Sequence, residues 1–304
     1  MNHRIILSLG AQLLLSVPMS AQQPQCTVIV ASDLHFDMPP ETDQFHHVVA
    51  MNRLTDSIHV DAVMIAGDIF DKADARIQAL YRQRYERGNG PRTLHLDAYP
   101  GYGNHDISPE NGRPALNHKG YELNRHYLDS LLQAKLRQGA ILNLDPSSRS
   151  YSLNIGGVHF VMGQLAAGDT TYCRSNFEWL SHDLERYCSD GTPLVYIQHY
   201  GFNRWARRWW PEANRRRLFK LLDRYRLAAF FVGHTHEASV QTYHGHHIYQ
   251  VNNAWPDEDG PASFALLKIK GTEMDIETVK VLDAKGNIRI SRPKLHSTIK
   301  QMKR

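Results

Sequence analysis

Cys26-Thr-Val-Ile-Val-Ala-Ser-Asp-Leu-His35 is an apolar run that ends in two polar side chains. Its β-branched residues predict a buried strand, and Asp33 and His35 follow where that strand ends. The same pattern recurs in Asp61-Ala-Val-Met-Ile-Ala-Gly-Asp68. Buried strands that alternate with helical segments indicate an α/β fold, in which polar residues at the carboxyl ends of strands gather at one edge of the sheet.

The alternation continues to about residue 232 and then gives way to strands alone. Helical spacing predicts helices over 45–58, 73–87, 120–138, 176–187 and 215–226. Apolar runs predict strands over 94–99, 151–155, 158–162, 193–198 and 228–232, followed by 239–243, 247–252, 263–270 and 274–282. We therefore expect a mixed α/β (α+β) fold in which two packed sheets form a β-sandwich with helices on its outer faces.

The N-terminus has the pattern of a secretory signal peptide over residues 1–21. A basic start at Arg4 precedes the apolar stretch Ile5–Val17, and Ala21 precedes the expected cleavage point. The apolar stretch is too short to span about 30 Å of hydrocarbon, and no later run predicts a transmembrane segment. We expect an exported protein, periplasmic or secreted, with a single domain over 22–304 and a β-rich C-terminal part.

Composition excludes several classes of protein. Hydrophobic content of 42% and charged content of 22% are ordinary globular values, which excludes collagen-like and disordered chains. A net charge of +4 gives no nucleic-acid-binding signature. Three cysteines exclude a disulfide-dense scaffold; Cys173 and Cys188 could pair in an exported protein, or all three thiols could be free. Eighteen histidines in 304 residues is the unusual count.

Five predicted strand ends carry residues that bind divalent metals. They are Asp33-x-His35, Gly67-Asp68, Gly103-Asn104-His105-Asp106, His199 and Gly233-His234-x-His236. Carboxylate and carboxamide oxygens with imidazole nitrogens, and no thiolate, suit hard to borderline divalent ions. Each motif alone is weak evidence for a metal site, since a single histidine after a strand is more often a core residue. Five in succession, each after an apolar run, predict a metal site.

This set of motifs resembles the calcineurin-like metallophosphoesterase superfamily over about residues 27–255, in its broad bacterial Asp-x-His branch. The resemblance implies a β-sandwich flanked by helices with a two-metal centre. By that resemblance one metal would be held by Asp33, His35, Asp68 and His236, and Asp68 would bridge to a second metal held by Asn104, His199 and His234. His105 would face the phosphate, with Asp106 behind it as the acceptor that orients the ring.

The resemblance implies a phosphoesterase with two divalent ions, expected to be Mn, Fe or Zn. Such ions share a bridging hydroxide that attacks a phosphomonoester or phosphodiester in line. The run Gly67-Asp68-Ile-Phe-Asp71-Lys-Ala lacks the Arg-Gly of protein Ser/Thr phosphatases and the tyrosine of purple acid phosphatases. A catalytically silent metal-binding or phosphate-binding protein on the same scaffold and a membrane-surface phosphoesterase acting on phospholipid head groups stay open as alternatives.

Substrate contacts are predicted near the motifs. The segment 202–218 contains six arginines and three tryptophans just after His199, and arginine forks and tryptophan rings suit a phosphate, a base or sugar, or a lipid interface. The alternative is that its arginines are solvated and its tryptophans pack in the core. The predicted substrate-binding residues are Tyr102, Arg204, Trp205 and Asn252, and the partner is a phosphate-ester small molecule or a phospholipid head group. The sequence indicates no oligomeric state.

Overall fold

The computed structural model describes residues 23–36, 45–71, 74–107, 118–170, 173–204, 206–257 and 260–300. The predicted signal peptide over 1–21 lies outside these residues, as does Trp205. In the described part, the strands and helices are numbered in chain order.

Thirteen strands of the described residues form two sheets. They are β1 (Gln25–Ala31), β2 (Ala62–Ile65), β3 (Ala98–Pro100), β4 (Asn143–Leu144), β5 (Tyr151–Ile155), β6 (Val158–Met162), β7 (Leu194–Ile197), β8 (Leu227–Val232), β9 (Ser239–Tyr243), β10 (His246–Gln250), β11 (Ser263–Lys270), β12 (Glu273–Val281) and β13 (Ile288–Thr298). The first sheet has the order β13-β12-β11-β1-β2-β3, and the second has the order β4-β5-β6-β7-β8-β10-β9.

The helices of the described part connect these strands. They are α1 (Phe45–Thr55), α2 (Ala75–Tyr85), α3 (Asn104–Ile107), α4 (His118–Arg137), α5 (Phe177–Cys188) and α6 (Glu212–Leu222), with a 3₁₀ turn over Ala206–Arg208. This is the predicted mixed α/β architecture of two sheets flanked by helices, so the expected fold class is confirmed.

The site-bearing strands run parallel within each sheet. β1 pairs with β2 in parallel register, with Val28 opposite Ala62, and β2 pairs with β3 with Val63 opposite Ala98. In the second sheet β7 runs parallel to β8. Every residue of β2 and β7 is buried, as expected for strands covered on both faces. Parallel register places the carboxyl ends of neighbouring strands at the same edge of each sheet.

Differences from the sequence expectation lie at element ends and in two strands that were not predicted, the two-residue β4 and the edge strand β13. α6 begins at Glu212 rather than at 215, β3 is displaced to Ala98–Pro100, and Asn104–Ile107 forms a short helix where a turn was expected. β13 was not predicted, because it is an edge strand paired only with β12, carries Pro293 and has more than half of its residues exposed. Its polar pattern therefore gives little apolar signal.

All three cysteines are free thiols, so the open question of a Cys173–Cys188 disulfide is resolved against the pairing. Cys26 and Cys188 are buried, and burial raises the pKa of both thiols. Among the described residues, none of the helices combines the length and the apolar character that crossing a membrane requires.

Candidate metal centre

The five strand ends predicted from the sequence come together at one edge of the sandwich. Three groups of three side chains each bring their ligand atoms within 4.8 Å of one another. They are Asp33, His35 and His236 in the first, Asp68, His199 and His234 in the second, and His35, Asp71 and His105 in a third that shares His35 with the first. Asn104 joins the second group, since its Oδ1 lies 3.0 Å from Nε2 of His199. The structure thus brings together all seven predicted metal ligands, and their assignment as ligands remains a prediction.

Asp68 lies between the first two groups. Its Oδ2 is 3.4 Å from Nε2 of His35 in the first group and 3.2 Å from Nε2 of His199 in the second. The Asp68 side chain is almost fully buried. One carboxylate oxygen is therefore within reach of both groups, which is the position that a bridging ligand requires.

The loops that carry the ligands are tied to one another by backbone hydrogen bonds. The Asp33 N–H donates to the carbonyl of Gly67 over 3.0 Å, and the Gly233 N–H donates to the carbonyl of His199 over 2.9 Å. The His234 N–H donates in turn to both carboxylate oxygens of Asp33, at 3.1 and 2.9 Å. The ligand geometry is consequently held by the backbone of both sheets.

Five of the seven predicted ligands have a backbone in the left-handed region, which non-glycine residues rarely adopt. They are Asp33 (φ 52°), His35 (φ 40°), Asp68 (φ 51°), His234 (φ 81°) and His236 (φ 55°). Such conformations cost roughly 1–3 kcal/mol each and persist where the surroundings enforce them, often at functional sites. The shared conformation turns consecutive side chains toward a common point at the end of each strand.

Two glycines allow the close approach of these loops. A Cβ at Gly103 would overlap the Asp68 carboxylate and lie 2.6 Å from its Cγ. A Cβ at Gly233 would lie 2.8 Å from Oδ2 of Asp33. The glycines that precede Asn104 and His234 are therefore required by the space that the Asp68 and Asp33 carboxylates occupy.

His199 shows how one ring nitrogen is directed into the site. Its Nδ1 donates to the carbonyl of Ala66 over 2.9 Å, which leaves Nε2 facing Asn104 and Asp68. A hydrogen bond at one imidazole nitrogen fixes the orientation of the other, as is usual for metal-binding histidines.

The charges of the groups follow from their contacts. Burial would raise the pKa of Asp33, but hydrogen bonds with His236 and His35 outweigh burial and hold that pKa well below its usual range. Burial would lower the pKa of His199, but the Asp68 carboxylate raises it to about 9. Burial and the charge of His199 lower the pKa of His234 to about 4. His199 thus carries a proton whose charge offsets carboxylate charge in the cluster, and a metal ion must displace that proton when it binds.

The donor set fits divalent metal ions. Buried carboxylates, a carboxamide and imidazoles converge, and Nε2 of His236 lies 3.2 Å from Nε2 of His35. Two nitrogens that face each other in this way present their lone pairs to the same small volume. Oxygen and nitrogen donors without sulfur suit a hard or borderline divalent ion rather than a soft one.

His105 lies next to the ligand cluster, beside a carboxylate other than Asp106. Its ring centroid lies 4.4 Å from that of His35, and its Nδ1 lies 3.3 Å from Oδ1 of Asp71. Asp71 also lies 3.5 Å from Nδ1 of His35. Burial would raise the pKa of Asp71, but His105 and His35 outweigh it and hold that pKa well below its usual range.

Asp106, which was expected to orient His105, makes hydrogen bonds with backbone N–H groups instead. The Asp106 carboxylate is fully buried and accepts three backbone hydrogen bonds, from Ile69 and Phe70 at 3.0 Å and from Gly103 at 2.7 Å. With its oxygens engaged by the loop after β2 and by Gly103, Asp106 shapes the backbone of the site. Asp71 takes the position beside the ring, and its spacing of three residues from Asp68 is the signal that could have identified it.

Aromatic side chains, of which only Trp209 belongs to the segment 202–218 singled out from the sequence, line the cluster on two sides. Trp255 lies edge-on to His35 and His236, with ring centroids 5.2 and 5.1 Å apart. Tyr200 lies 4.9 Å from the ring of His234, and Trp209 lies 5.5 Å from it at an interplanar angle of 90°. Tyr200 directly follows His199, but this is a weak signal, because core packing gives the same pattern.

The predicted substrate-binding residues lie in different surroundings. The ring of Tyr102 is buried and its hydroxyl donates to Asp129, so the structure does not bring this side chain to the cluster. Asn252 is buried, and its side-chain amide donates to the carbonyl of Pro261 over 3.4 Å. Arg204 is exposed in the loop that follows His199. Trp205 lies outside the described residues.

Comparison with known proteins places this arrangement in context. A protein-family model described as calcineurin-like phosphoesterase matches residues 26–238. A dimetal phosphatase from Danio rerio superposes with a TM-score of 0.57 at 13% sequence identity, over 91% of this chain and 100% of that chain. PhoD superposes with a TM-score of 0.54 at 11% identity, over 92% of this chain and 70% of that chain.

A third structure, GAP50, described as the anchor in the inner membrane complex of Plasmodium, gives a TM-score of 0.55 at 10% identity over 93% of this chain and 90% of that chain. At these identities the structural matches show the shared fold alone. No curated protein sequence matches the chain at a significant level.

Proposed function

Because the chain belongs to the calcineurin-like phosphoesterase family, we propose that it is an exported, periplasmic or secreted hydrolase that uses two divalent metal ions to cleave phosphomonoesters or phosphodiesters. The observation that carries the proposal is the position of Asp68, whose Oδ2 lies within 3.4 Å of a nitrogen in each ligand group. A single buried carboxylate shared by two groups of imidazole and carboxylate ligands is the arrangement of a two-metal site.

The ligands divide by the contacts described above. Asp33, His35 and His236 would hold one ion, His199, His234 and Asn104 would hold the other, and Asp68 would contact both. When bound, such ions polarise a phosphoryl oxygen and lower the pKa of a coordinated water. Asp33 and Asp68 would supply two buried negative charges, which offset half of the charge of two divalent ions.

His105 would act on the substrate. It is 26% exposed, more than His35 or His199 in the buried part of the cluster, so a bound phosphate ester can reach it. With Nδ1 beside the ionised Asp71, a protonated ring can donate from Nε2 to a phosphoryl oxygen or to the departing oxygen. That proton neutralises the alkoxide that forms when the bond from phosphorus to the leaving oxygen breaks.

The experiment that tests the proposal is hydrolysis by the purified, metal-loaded protein. A panel of monoesters, diesters, cyclic nucleotides and phospholipids is incubated with Mn²⁺, Zn²⁺ or Fe²⁺, and we expect turnover that chelators abolish. Asp68→Ala is expected to abolish it. Asp68→Asn, which keeps the hydrogen bond from the His105 N–H at 2.8 Å, separates loss of charge from loss of fold.

Asp275→Ala is the matched control, because Asp275 is an exposed carboxylate on β12 far along the chain from every ligand. Activity that survives chelation, or that persists in folded Asp68→Asn protein, would contradict the metal mechanism. Absence of turnover with every substrate and metal, despite tight metal binding, would favour a silent binding protein. Export is tested by N-terminal sequencing of protein recovered from the periplasm or medium, with a start after Ala21 as the expected result.

A further inference from the structure

Trp209 is an exposed tryptophan at the edge of the metal centre. Half of its surface is exposed, although tryptophan is normally well buried. Its ring stacks on Tyr200, with centroids 5.8 Å apart and an interplanar angle of 25°, and it meets the ring of His234 edge-on at 5.5 Å. The indole is therefore supported by Tyr200, lies against a predicted metal ligand, and keeps much of its surface open to solvent.

The neighbouring tryptophans do not share this exposure. Trp210 is completely buried, and its indole N–H donates to the carbonyl of Ala167 over 3.0 Å. Trp255 is 6% exposed and lies edge-on to the histidines of the first ligand group. Trp210 is thus a core residue and Trp255 a wall of the site, whereas Trp209 alone of the three offers an accessible aromatic surface beside the ligands.

The surroundings of Trp209 favour an anionic ligand. Arg207 and Arg208 belong to the 3₁₀ turn that directly precedes it, Arg204 lies earlier in the chain after His199, and all three side chains are exposed. Nε of Arg207 donates to the carbonyl of Phe202 over 2.9 Å, which fixes part of the turn. A flat aromatic surface on a segment that carries three exposed arginines suits a ligand with both a planar ring and negative charge.

We propose that Trp209 is a stacking platform that selects phosphate esters bearing a flat aromatic group, either an aryl ring or a nucleobase. The proposal rests on the proposed phosphoesterase function and specifies the substrate class of the same site. The phosphate lies at the metal ligands, and the planar group extends the stack of Tyr200 and Trp209 on the side of His234. Because the platform contacts the part of the substrate remote from phosphorus, its contribution is to binding.

A lipid surface is the competing occupant, and the burial pattern disfavours it. Interfacial binding relies on a continuous apolar face that enters the bilayer. Within the described residues of this segment Phe202, Trp210, Leu218 and Phe219 are all buried, which leaves Trp209 as the exposed large apolar side chain. A single exposed indole that stacks on Tyr200, in a segment with exposed arginines, provides a surface on which one planar ring of a ligand can stack.

The test compares two ligands that differ only in the base. Adenosine 5′-monophosphate and ribose 5-phosphate share the same phosphate and the same leaving oxygen, so a difference between them reports contacts to adenine. Dissociation constants are measured calorimetrically with the Mn²⁺-loaded protein, and phosphate release gives kcat/KM for both. The variants are Trp209→Ala, Trp209→Phe and, as a matched control, Leu282→Ala, whose side chain is 49% exposed against 50% for Trp209.

We expect wild-type protein to prefer the nucleotide, and Trp209→Ala to reduce that preference by about five- to 150-fold, the equivalent of the ~1–3 kcal/mol of one base stacked on an aromatic ring. The change should appear in the dissociation constant and KM rather than in kcat. Trp209→Phe should restore most of the preference, and Leu282→Ala should leave it unchanged.

Equal affinity of wild-type protein for the two ligands would overturn the platform. So would a Trp209→Ala variant that loses both ligands equally, since that points to support of His234 alone. Loss of liposome co-sedimentation in Trp209→Ala with an unchanged ligand preference would assign the residue to a membrane instead. If neither compound is hydrolysed but the Trp209-dependent binding preference is present, monoesterase activity fails and the platform stands. Turnover of both compounds without a preference would overturn the platform and leave the phosphoesterase proposal intact.

Discussion

Asp71→Asn tests whether the carboxylate beside His105 supports its chemistry. The substitution keeps the size of the side chain and removes its charge. In the structure Oδ1 of Asp71 lies 3.3 Å from Nδ1 of His105, and the two side chains are 10% and 26% exposed. The neighbouring His35 lies 3.5 Å away from the same oxygen, so metal affinity has to be measured alongside activity.

The expected size follows from that distance. Two unit charges 3.3 Å apart attract by about 5 kcal/mol at an effective dielectric constant of about 20, which is an upper bound for a protonated His105. Partial exposure and the remaining polar contact of the amide reduce this value. Residues that orient a catalytic or metal-binding histidine typically contribute 10- to 100-fold, or ~1.4–2.8 kcal/mol. We therefore expect kcat to fall by about 10- to 100-fold at saturating metal.

The assay is a double-mutant cycle at saturating Mn²⁺ with an alkyl and a p-nitrophenyl phosphate ester. If Asp71 acts through His105, the Asp71→Asn change should cost little in a His105→Gln background, because the two residues function as one unit. The alkyl ester should suffer more than the p-nitrophenyl ester, because a poor leaving group depends more strongly on proton donation.

Two results would refute this reasoning. One is a kcat for Asp71→Asn within about twofold of wild type when the metal sites are saturated. The other is an equal loss from Asp71→Asn in the presence and absence of His105, which would show that Asp71 acts through the metal ligand His35 instead.

Three further predictions concern the loops of the site and a buried histidine elsewhere in the fold. Asp106→Asn should lower the unfolding free energy by about 1–3 kcal/mol in denaturant titration, because an amide nitrogen cannot accept the Gly103 N–H; an unchanged midpoint would contradict this. Gly103→Ala should weaken Mn²⁺ binding, measured by calorimetry, at least about tenfold, because the added Cβ would displace the Asp68 carboxylate. An affinity equal to that of the wild type would show that the loop can move to accommodate the Cβ. The buried His47, whose pKa burial lowers to about 4, binds its proton more weakly in the fold than in the unfolded chain. Its contribution of about 3 kcal/mol to the free energy of unfolding is present above pH 6.5 and is lost as the pH falls toward 4. In His47→Gln the free energy of unfolding should therefore vary less with pH over this range. Parallel pH profiles of stability for the variant and the wild type would contradict the prediction.

The parts of the molecule that could be predicted from the sequence are those with a strong apolar signal. β1 and β2 are buried on both faces, so their runs of Val, Ile and Met are unbroken and their ends are well marked. The ligand candidates Asp33 and Asp68 follow directly, since a strand end fixes where the next side chains emerge. The family assignment rests on the same motifs, and the family match over residues 26–238 confirms it.

The parts that could not be predicted depend on side-chain direction within a turn. Asp71 and Asp106 are both acidic residues near His105, and their roles differ because three backbone N–H groups engage Asp106. Trp209 and Trp210 are adjacent in the chain, yet one is half exposed and the other is buried. Residue type and spacing do not distinguish such pairs, because the path of the backbone decides which side chain faces the cluster.

Because the predicted ligands are distributed over the two sheets, the stability of the fold should depend on the concentration of free metal ions. Asp33 and His35 follow a strand of the first sheet and His236 follows a strand of the second, 201 residues away from His35. Asp68 and His199 repeat this division. An ion bound at either group would link the two sheets at this edge of the sandwich and would close a loop that contains most of the residues of the chain. The free metal concentration around the protein would then set its resistance to unfolding and proteolysis, by about 2.7 kcal/mol at a hundredfold excess over the dissociation constant.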